Sequence, residues 1–162
     1  MASWTTIVPE VSESVRSAVL GIRLDRVGRL HEAYLRGAIR RCGSPVVRSV
    51  ADFRLLALLR RAGGLSLTRA AEELGATKAA TSTRVERMVV ADLLRREHQQ
   101  SDRRSSQLLV TEEAFSLVDE LLAIVVKAHA DFLEVLSSAE SEELTRLLAK
   151  LWSSHSQVVL EE

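Results

Sequence analysis

The sequence predicts a mainly α protein that carries one small β-hairpin, and three observations lead to this class. Apolar residues recur at steps of three and four along most of the 162 residues. A polar segment, 98–104, lies between two strand-like segments, 93–96 and 106–110. The segment that follows Thr111 has a regular heptad of apolar positions. We therefore expect packed helices with a single hairpin between them.

The pattern of apolar residues in the N-terminal third of the chain predicts helices that precede this hairpin. Pro9 fits a helix N-terminus, and Gly21 is expected to break or bend the first helical region. An apolar or amphipathic stripe then runs to about Arg41, where Gly43-Ser44-Pro45 ends it. Its members are Leu20, Leu24, Val27, His31, Tyr34 and Ala38.

The next helix begins at Ser49, with Asp52 three residues later in an acidic variant of the capping box. It is apolar over most of its surface, so we expect it to be buried, and it ends at 62–64. Two short helices follow, joined at Gly75, where a tight turn needs positive φ. Thr77 is expected to cap the second one, which runs from Lys78 to about residue 91. The predicted inward positions are Ala70, Ala71, Leu74, Ala80, Thr81, Val85, Met88 and Val89.

Two short helices joined at a glycine are typical of a helix-turn-helix, and the hairpin directly after them makes it a winged one. The hairpin tip holds Arg103 and Arg104, which suit the negative potential of a narrow DNA minor groove. A solvated hairpin tip is the alternative for these two arginines.

The net charge is zero, but its distribution along the chain is uneven. Residues 48–111 hold twelve Lys/Arg and seven Asp/Glu, whereas residues 112–162 hold three and eleven. Such a basic middle beside an acidic end indicates that one surface faces a polyanion, although solvated arginine-rich helices would give the same pattern.

Several classes of protein are excluded or disfavoured. No apolar run is long enough to span a membrane, and the N-terminus does not resemble a secretory signal. Cys42 is the single cysteine, so we expect a cytoplasmic protein without a disulfide. No HExxH, CxxC or Gly-rich phosphate loop is present, so we expect no enzyme activity, no catalytic residue, no metal and no cofactor.

The chain resembles the multiple antibiotic resistance regulator (MarR) family of bacterial winged-helix repressors. DFRLLALLRRAGGLSL resembles the family's helix before the helix-turn-helix, RAAEELGATKAATSTRVERM the helix-turn-helix, and LLRREHQQSDRRSSQLLVTEEA the wing. The resemblance covers about residues 50–115, and the triplet Asp102-Arg103-Arg104 is its most specific part. Asp92, Thr81 and Ala114 depart from the usual glycine, apolar residue and glycine, which puts the turn geometry in doubt.

The second helix of such a motif lies in the major groove with its N-terminal half on base edges. Arg84 is the first choice for base reading, since a guanidinium donates two bonds to guanine, and Lys78 is assigned to phosphate. The resemblance implies that Arg104 enters the minor groove and that Asp102 orients an arginine. The expected DNA contacts are Arg69, Thr77, Lys78, Ala79, Ser82, Thr83, Arg84, Arg87, Asp102, Arg103 and Arg104, with Gln99, Gln100 and Ser101 as lesser candidates.

A helix of about 25 residues is expected after Thr111, followed by a capped final helix over about 138–155. The long helix has apolar residues on two faces, which favours two partners, although an intramolecular bundle would also satisfy it. The family resemblance favours a homodimer with interlocking N- and C-terminal helices. The heptad positions are Ala114, Val118, Leu121, Val125, Ala128, Phe132 and Val135.

The sequence thus predicts a dimeric, cytoplasmic DNA-binding transcription regulator that reads a near-palindromic double-stranded operator. Residues 1–48 and 112–162 would form the dimerisation region, and residues 49–111 the DNA-binding domain. The resemblance implies a repressor released by a small aromatic or lipophilic effector. Redox sensing by Cys42 is disfavoured, and a winged-helix interaction module without DNA binding is the alternative function. The candidate effector residues are Arg26, His31, Tyr34, Phe53 and Trp152.

Overall fold

The computed structural model describes residues 12–99 and 102–155, with side chains described for residues 12–97 and 106–154. Six helices and three short strands make up this part of the chain. The mainly α class with a small β-hairpin is confirmed. In chain order the elements are α1 (Glu13–Arg41), α2 (Val50–Ala62), β1 (Leu65–Ser66), α3 (Leu67–Glu73), α4 (Lys78–Val90), β2 (Leu94–Gln99), β3 (Asp102–Val110), α5 (Phe115–Leu133) and α6 (Ser138–His155).

The strands form an antiparallel sheet in the order β1-β3-β2. Leu65 pairs with Leu108, and Leu94 pairs with Val110, so the base of the hairpin is fixed against the protein core. Both hairpin strands extend further than the sequence predicted, which leaves only Gln100 and Ser101 between them. Strand β1 was not predicted, because two residues carry no alternation that periodicity can detect.

Helix α1 runs without interruption through Gly21, so of the predicted break or bend the break is wrong. A helix that is already nucleated tolerates one glycine at a cost of about 1 kcal/mol. Pro9 lies outside the described residues.

Helix α5 is shorter than predicted, with 19 residues, and Val135 lies beyond its end. Its heptad positions from Ala114 to Ala128 are buried in the same core as Leu35, Ala38 and Ile39 of α1. The heptad stripe is therefore covered within the chain, against α1 and α2. The intramolecular interpretation holds for these five positions, whereas Phe132 is half-buried and Val135 is exposed, and the homodimer stays a prediction.

The helix-turn-helix is built from local signals in the sequence. The Ser49–Asp52 capping box and the Thr77 cap of α4 both form, and Gly75 has a φ of +57°. Asp92 takes a left-handed conformation, with a φ of 56°, which aspartate tolerates better than most residues. Its carbonyl oxygen accepts a hydrogen bond of 2.7 Å from the buried Thr111 hydroxyl, which joins the end of the hairpin to the turn after α4. Aspartate therefore replaces the usual glycine and the turn is kept.

None of the helices in the described part of the chain is long and apolar enough to span a bilayer.

Candidate nucleic-acid interface

Helix α4 presents one face to solvent, and its opposite face is fixed in the core. Thr81, Val85 and Met88 are buried as predicted, whereas Ala80, also predicted to face inward, is exposed. The Thr81 hydroxyl donates to the carbonyl oxygen of Thr77 at 3.0 Å, which satisfies the polar group that replaces the usual apolar residue. At about 100° per residue, the direction opposite to the buried face falls close to Ala79, Thr83, Glu86 and Val90. These four exposed side chains define the centre of the α4 outer face.

The predicted contacts at the start of this face are accessible. Lys78 and Ala79 are exposed, and the side chain of Thr77 caps the helix through the backbone N–H of Ala80. Arg69 of α3 is also exposed, where it pairs with Glu72 and Glu73 at 3.4 and 3.0 Å. The positive charge of Arg69 is therefore shared with two carboxylates of its own helix.

Glu86 was not among the residues proposed from the sequence. Its carboxylate accepts a hydrogen bond of 3.0 Å from the hydroxyl of Ser82, one turn earlier on α4. The i, i+4 spacing of these two residues was the available signal, because it places both on one side of a helix. A glutamate there can accept a hydrogen bond from the amino group of cytosine.

Arg84 and Arg87 lie on the flank of α4 that faces α2, away from the centre of the outer face. Both are only partly exposed, and both approach the carboxylate of the buried Asp52. Arg87 donates to this carboxylate, and the Nε of Arg84 is 3.7 Å from it. Arg84 was expected among the outward residues, and its ion pair with α2 was not anticipated from the sequence.

The hairpin residues proposed from the sequence fall mostly outside the described part of the structure. Gln100 and Ser101 are not described, and the side chains of Gln99 and of 102–104 are likewise outside the described residues. The backbone of Asp102, Arg103 and Arg104 belongs to β3. Within the described side chains of the hairpin, Arg95 pairs with Glu97 at 3.0 Å.

The five candidate effector residues are not gathered in one cavity. Phe53 lines a cavity of about 480 Å³ between α2, α3 and α5. His31 lines a second cavity, of about 390 Å³, between α1, α5 and α6. Tyr34 contacts the ring of Phe132 near this second cavity, while Arg26 and Trp152 are exposed on α1 and α6.

Burial shifts the pKa values of His129 and Cys42 in the helical region. His129 forms a 3.0 Å hydrogen bond with His31, and burial, followed by the nearness of His31 and Arg54, lowers its pKa below 6.5. Burial, followed by the nearby Glu120, raises the pKa of the Cys42 thiol. A reactive thiol needs a lowered pKa, so Cys42 has the opposite character. Among the described residues, no group of three or more His, Cys, Asp or Glu could hold a metal ion.

Comparison with known proteins agrees with this geometry. Residues 48–105 match the model of the MarR family, and this segment runs from before α2 to the hairpin. The chain is 30% identical over 106 residues to the HTH-type transcriptional regulator PecS of Dickeya dadantii (strain 3937). This alignment covers 64% of the present chain and 64% of PecS.

Solved structures share the fold over most of its length. AbsC, a MarR family transcriptional regulator from Streptomyces coelicolor, matches with a TM-score of 0.74 and 21% identity, covering 93% of this chain and 99% of AbsC. A mutant MarR from E.coli complexed with operator DNA matches with a TM-score of 0.73 and 19% identity, covering 87% and 99%. BpsR of Bordetella bronchiseptica matches with a TM-score of 0.71 and 25% identity, covering 81% and 91%. The family match over residues 48–105, the PecS relative and the shared winged-helix fold together support a MarR-family winged-helix regulator.

Proposed function

We propose that the chain is a dimeric regulator of transcription that binds double-stranded DNA in a sequence-specific manner and is released from it by a small molecule. The observation that carries DNA binding is the outer face of α4, where Ala79, Thr83 and Glu86 are exposed opposite the buried Thr81, Val85 and Met88. A helix presented in this way, with a hairpin directly after it, suits insertion into the major groove. The MarR structure complexed with operator DNA has the same fold.

Within this proposal the groove-facing residues are Ala79, Ser82, Thr83 and Glu86, and Lys78 contacts phosphate. Thr77 and Arg69 lie near the backbone of the DNA, at the N-terminal end of the motif. Arg104 and Arg103 of the hairpin contribute minor-groove and phosphate contacts, and Asp102 orients one of them. Arg84 and Arg87 are treated separately below, because Asp52 already binds them.

Dimerisation is proposed from apolar surface that the described chain leaves uncovered. Large apolar side chains of α1 are 40–66% exposed over three turns and more, and others are exposed on α6. A helix apolar on several faces is stable in water only when a partner covers it. Residues 1–47 carry three more positive than negative charges and residues 112–162 eight more negative ones, so the N-terminal region of one copy complements the C-terminal region of another. The α1 side chains are Val15, Val19, Leu20, Ile22, Leu24, Val27, Leu30 and Tyr34.

Substitution of Arg104 by alanine tests the DNA-binding proposal directly. We expect wild-type protein to bind a duplex that it enriches from a random pool, with half-sites about 34 Å apart. In the Arg104→Ala variant, the slope of log K against log salt should become shallower by about 0.9 for each phosphate that the protein no longer neutralises. Fluorescence anisotropy titrations at several salt concentrations measure both quantities. If wild-type protein binds no duplex even at low salt, the interaction-module alternative is favoured.

The effector is proposed to bind in the cavity between α2, α3 and α5, because ligand volume there would separate the α3–α4 motif from the dimer helices. The cavity is lined by apolar side chains, including Phe53, Leu58 and Leu74, and by charged residues in which three guanidinium groups outnumber two carboxylates. These charged residues are Arg54, Arg60, Arg61, Glu73 and Asp119. A largely apolar cavity with an excess of guanidinium groups suits a flat aromatic molecule that carries a carboxylate. The related BpsR is a protein whose DNA binding is regulated by 6-hydroxynicotinic acid, which is a molecule of this class.

Filling the cavity tests this assignment. We expect 6-hydroxynicotinic acid to weaken DNA binding by the wild-type protein by about 5–150-fold, the usual range of allosteric coupling. Ala57 lines the cavity, so Ala57→Phe should abolish the effect, whereas Ala149→Phe on the exposed side of α6 should retain it. Anisotropy titrations with and without the compound provide the readout. An undiminished response in Ala57→Phe would place the ligand elsewhere.

A further inference from the structure

Asp52 is a buried carboxylate whose hydrogen bonds join two helices of the DNA-binding domain. The residue is 2% exposed. One carboxylate oxygen accepts the backbone N–H groups of Arg48 and Ser49, at 2.9 and 3.0 Å, and so fixes the start of α2. The other oxygen accepts the Arg87 guanidinium and lies 3.7 Å from the Nε of Arg84. Thus one side chain caps α2 and also binds two arginines of α4, the next helix but one along the chain.

The same contacts restrict both arginines. A second nitrogen of Arg84 donates to the carbonyl oxygen of Ala80 at 3.0 Å, so its guanidinium is folded back along α4. The Nε of Arg87 is buried. A buried carboxylate is costly unless it is paired, and this cost favours retention of at least one of the two arginines at Asp52. Neither arginine side chain is more than about a third exposed, with 29% for Arg84 and 32% for Arg87.

We propose that Asp52 is a positioning residue that raises DNA-sequence specificity by keeping Arg84 and Arg87 away from the phosphate backbone. The proposal rests on the DNA binding proposed above. A free guanidinium on the flank of α4 neutralises phosphate on any sequence, and on an incorrect sequence, where base contacts do not fix the helix, it can settle on phosphate most easily. It therefore strengthens incorrect binding more than correct binding. Specificity is the difference between the binding free energies for correct and incorrect DNA, so it increases when these phosphate contacts are prevented. Base reading is then left to the α4 outer face, around Ala79 and Thr83.

Four proteins test this proposal: wild type, Asp52→Asn, Arg84→Gln, and the triple variant Asp52→Asn/Arg84→Gln/Arg87→Gln. Each is titrated by anisotropy, over a range of salt, against the duplex that wild type enriches from a random pool and against a scrambled duplex. Asp52→Asn should steepen the salt slope on scrambled DNA by about 1–2, since one or two arginines become available to phosphate. Its ratio of specific to scrambled affinity should fall at least about fivefold. The triple variant should return the slope to the wild-type value, and Arg84→Gln alone should leave it unchanged.

Two results would overturn the proposal. One is a folded Asp52→Asn protein with the wild-type salt slope, even if its operator affinity falls, because a purely structural role lowers affinity without adding phosphate contacts. The second is a salt slope that becomes shallower by about 0.9 in the Arg84→Gln variant, because this would show that Arg84 already binds phosphate in the wild-type protein. This second result is obtained with Asp52 intact, so the proposal can still be decided if Asp52→Asn does not fold. Failure of the wild-type protein to enrich any duplex would instead remove the proposed function itself.

Discussion

The double substitution Val19→Glu/Ile22→Glu is expected to convert the protein from a dimer into a folded monomer and to weaken operator binding by about 100-fold to 10,000-fold. Val19 and Ile22 lie three residues apart on α1 and are 41% and 59% exposed in the single chain. Their replacement therefore removes little from the core of one subunit. In a two-fold symmetric dimer, each carboxylate occurs twice and is buried without a partner, which opposes association.

A monomer binds DNA more weakly because two linked recognition helices bind far more tightly than one. Once the first half-site is occupied, the second helix is held at a high effective concentration near the other half-site. Solution mass by light scattering measures the association, and anisotropy titrations measure the affinity. Ser14→Glu/Ala18→Glu adds the same two negative charges on the side of α1 that carries the Asp25–Arg29 ion pair, and it should leave both quantities unchanged. A dimeric double variant would show that the uncovered α1 surface has another role.

The predictions from sequence succeeded where the structural cause is local. The Ser49–Asp52 capping box, the Gly75 turn and the Thr77 cap each depend on residues within three or four positions of one another. Their chemistry is the same whatever lies around them. Gly21 in α1 is a weak local signal, and the length of the helix overrides it.

The parts that the sequence did not predict depend on distant pairing. The heptad in α5 indicates an apolar stripe, but it does not indicate whether α1 of the same chain or another subunit covers that stripe. Likewise, nothing near Asp52 in the sequence indicates that Arg84 and Arg87 lie against it. Helical periodicity places Arg84 among the outward residues of α4, yet its position on the flank next to α2 becomes visible only when both helices are placed.

The substitution Thr83→Glu is expected to abolish sequence-specific DNA binding while leaving the fold and the dimer intact. Thr83 is exposed at the centre of the α4 outer face, and its hydroxyl donates to the carbonyl oxygen of Ala79 at 3.2 Å. The core is unaffected, and glutamate has a higher helix propensity than threonine. In the groove, however, the carboxylate meets the acceptor atoms of base edges and the nearby phosphates. A penalty of about 1–3 kcal/mol per half-site gives about 2–6 kcal/mol for the dimer.

Matched variants separate this repulsion from general effects of charge or of the hydroxyl. Ser153→Glu on α6 also replaces an exposed hydroxyl that bonds to its own helix, and it should bind DNA like wild type. Thr83→Val keeps the shape of the side chain but removes the hydroxyl. If Thr83→Val loses little DNA affinity and Thr83→Glu loses much, residue 83 lies near the DNA without bonding to a base. If both variants lose affinity equally, the hydroxyl donates or accepts a direct hydrogen bond with a base. Circular dichroism and light scattering establish that each variant is folded and dimeric. Should Thr83→Glu bind DNA as wild type does, Thr83 does not face the groove, and the proposed insertion of α4 is wrong.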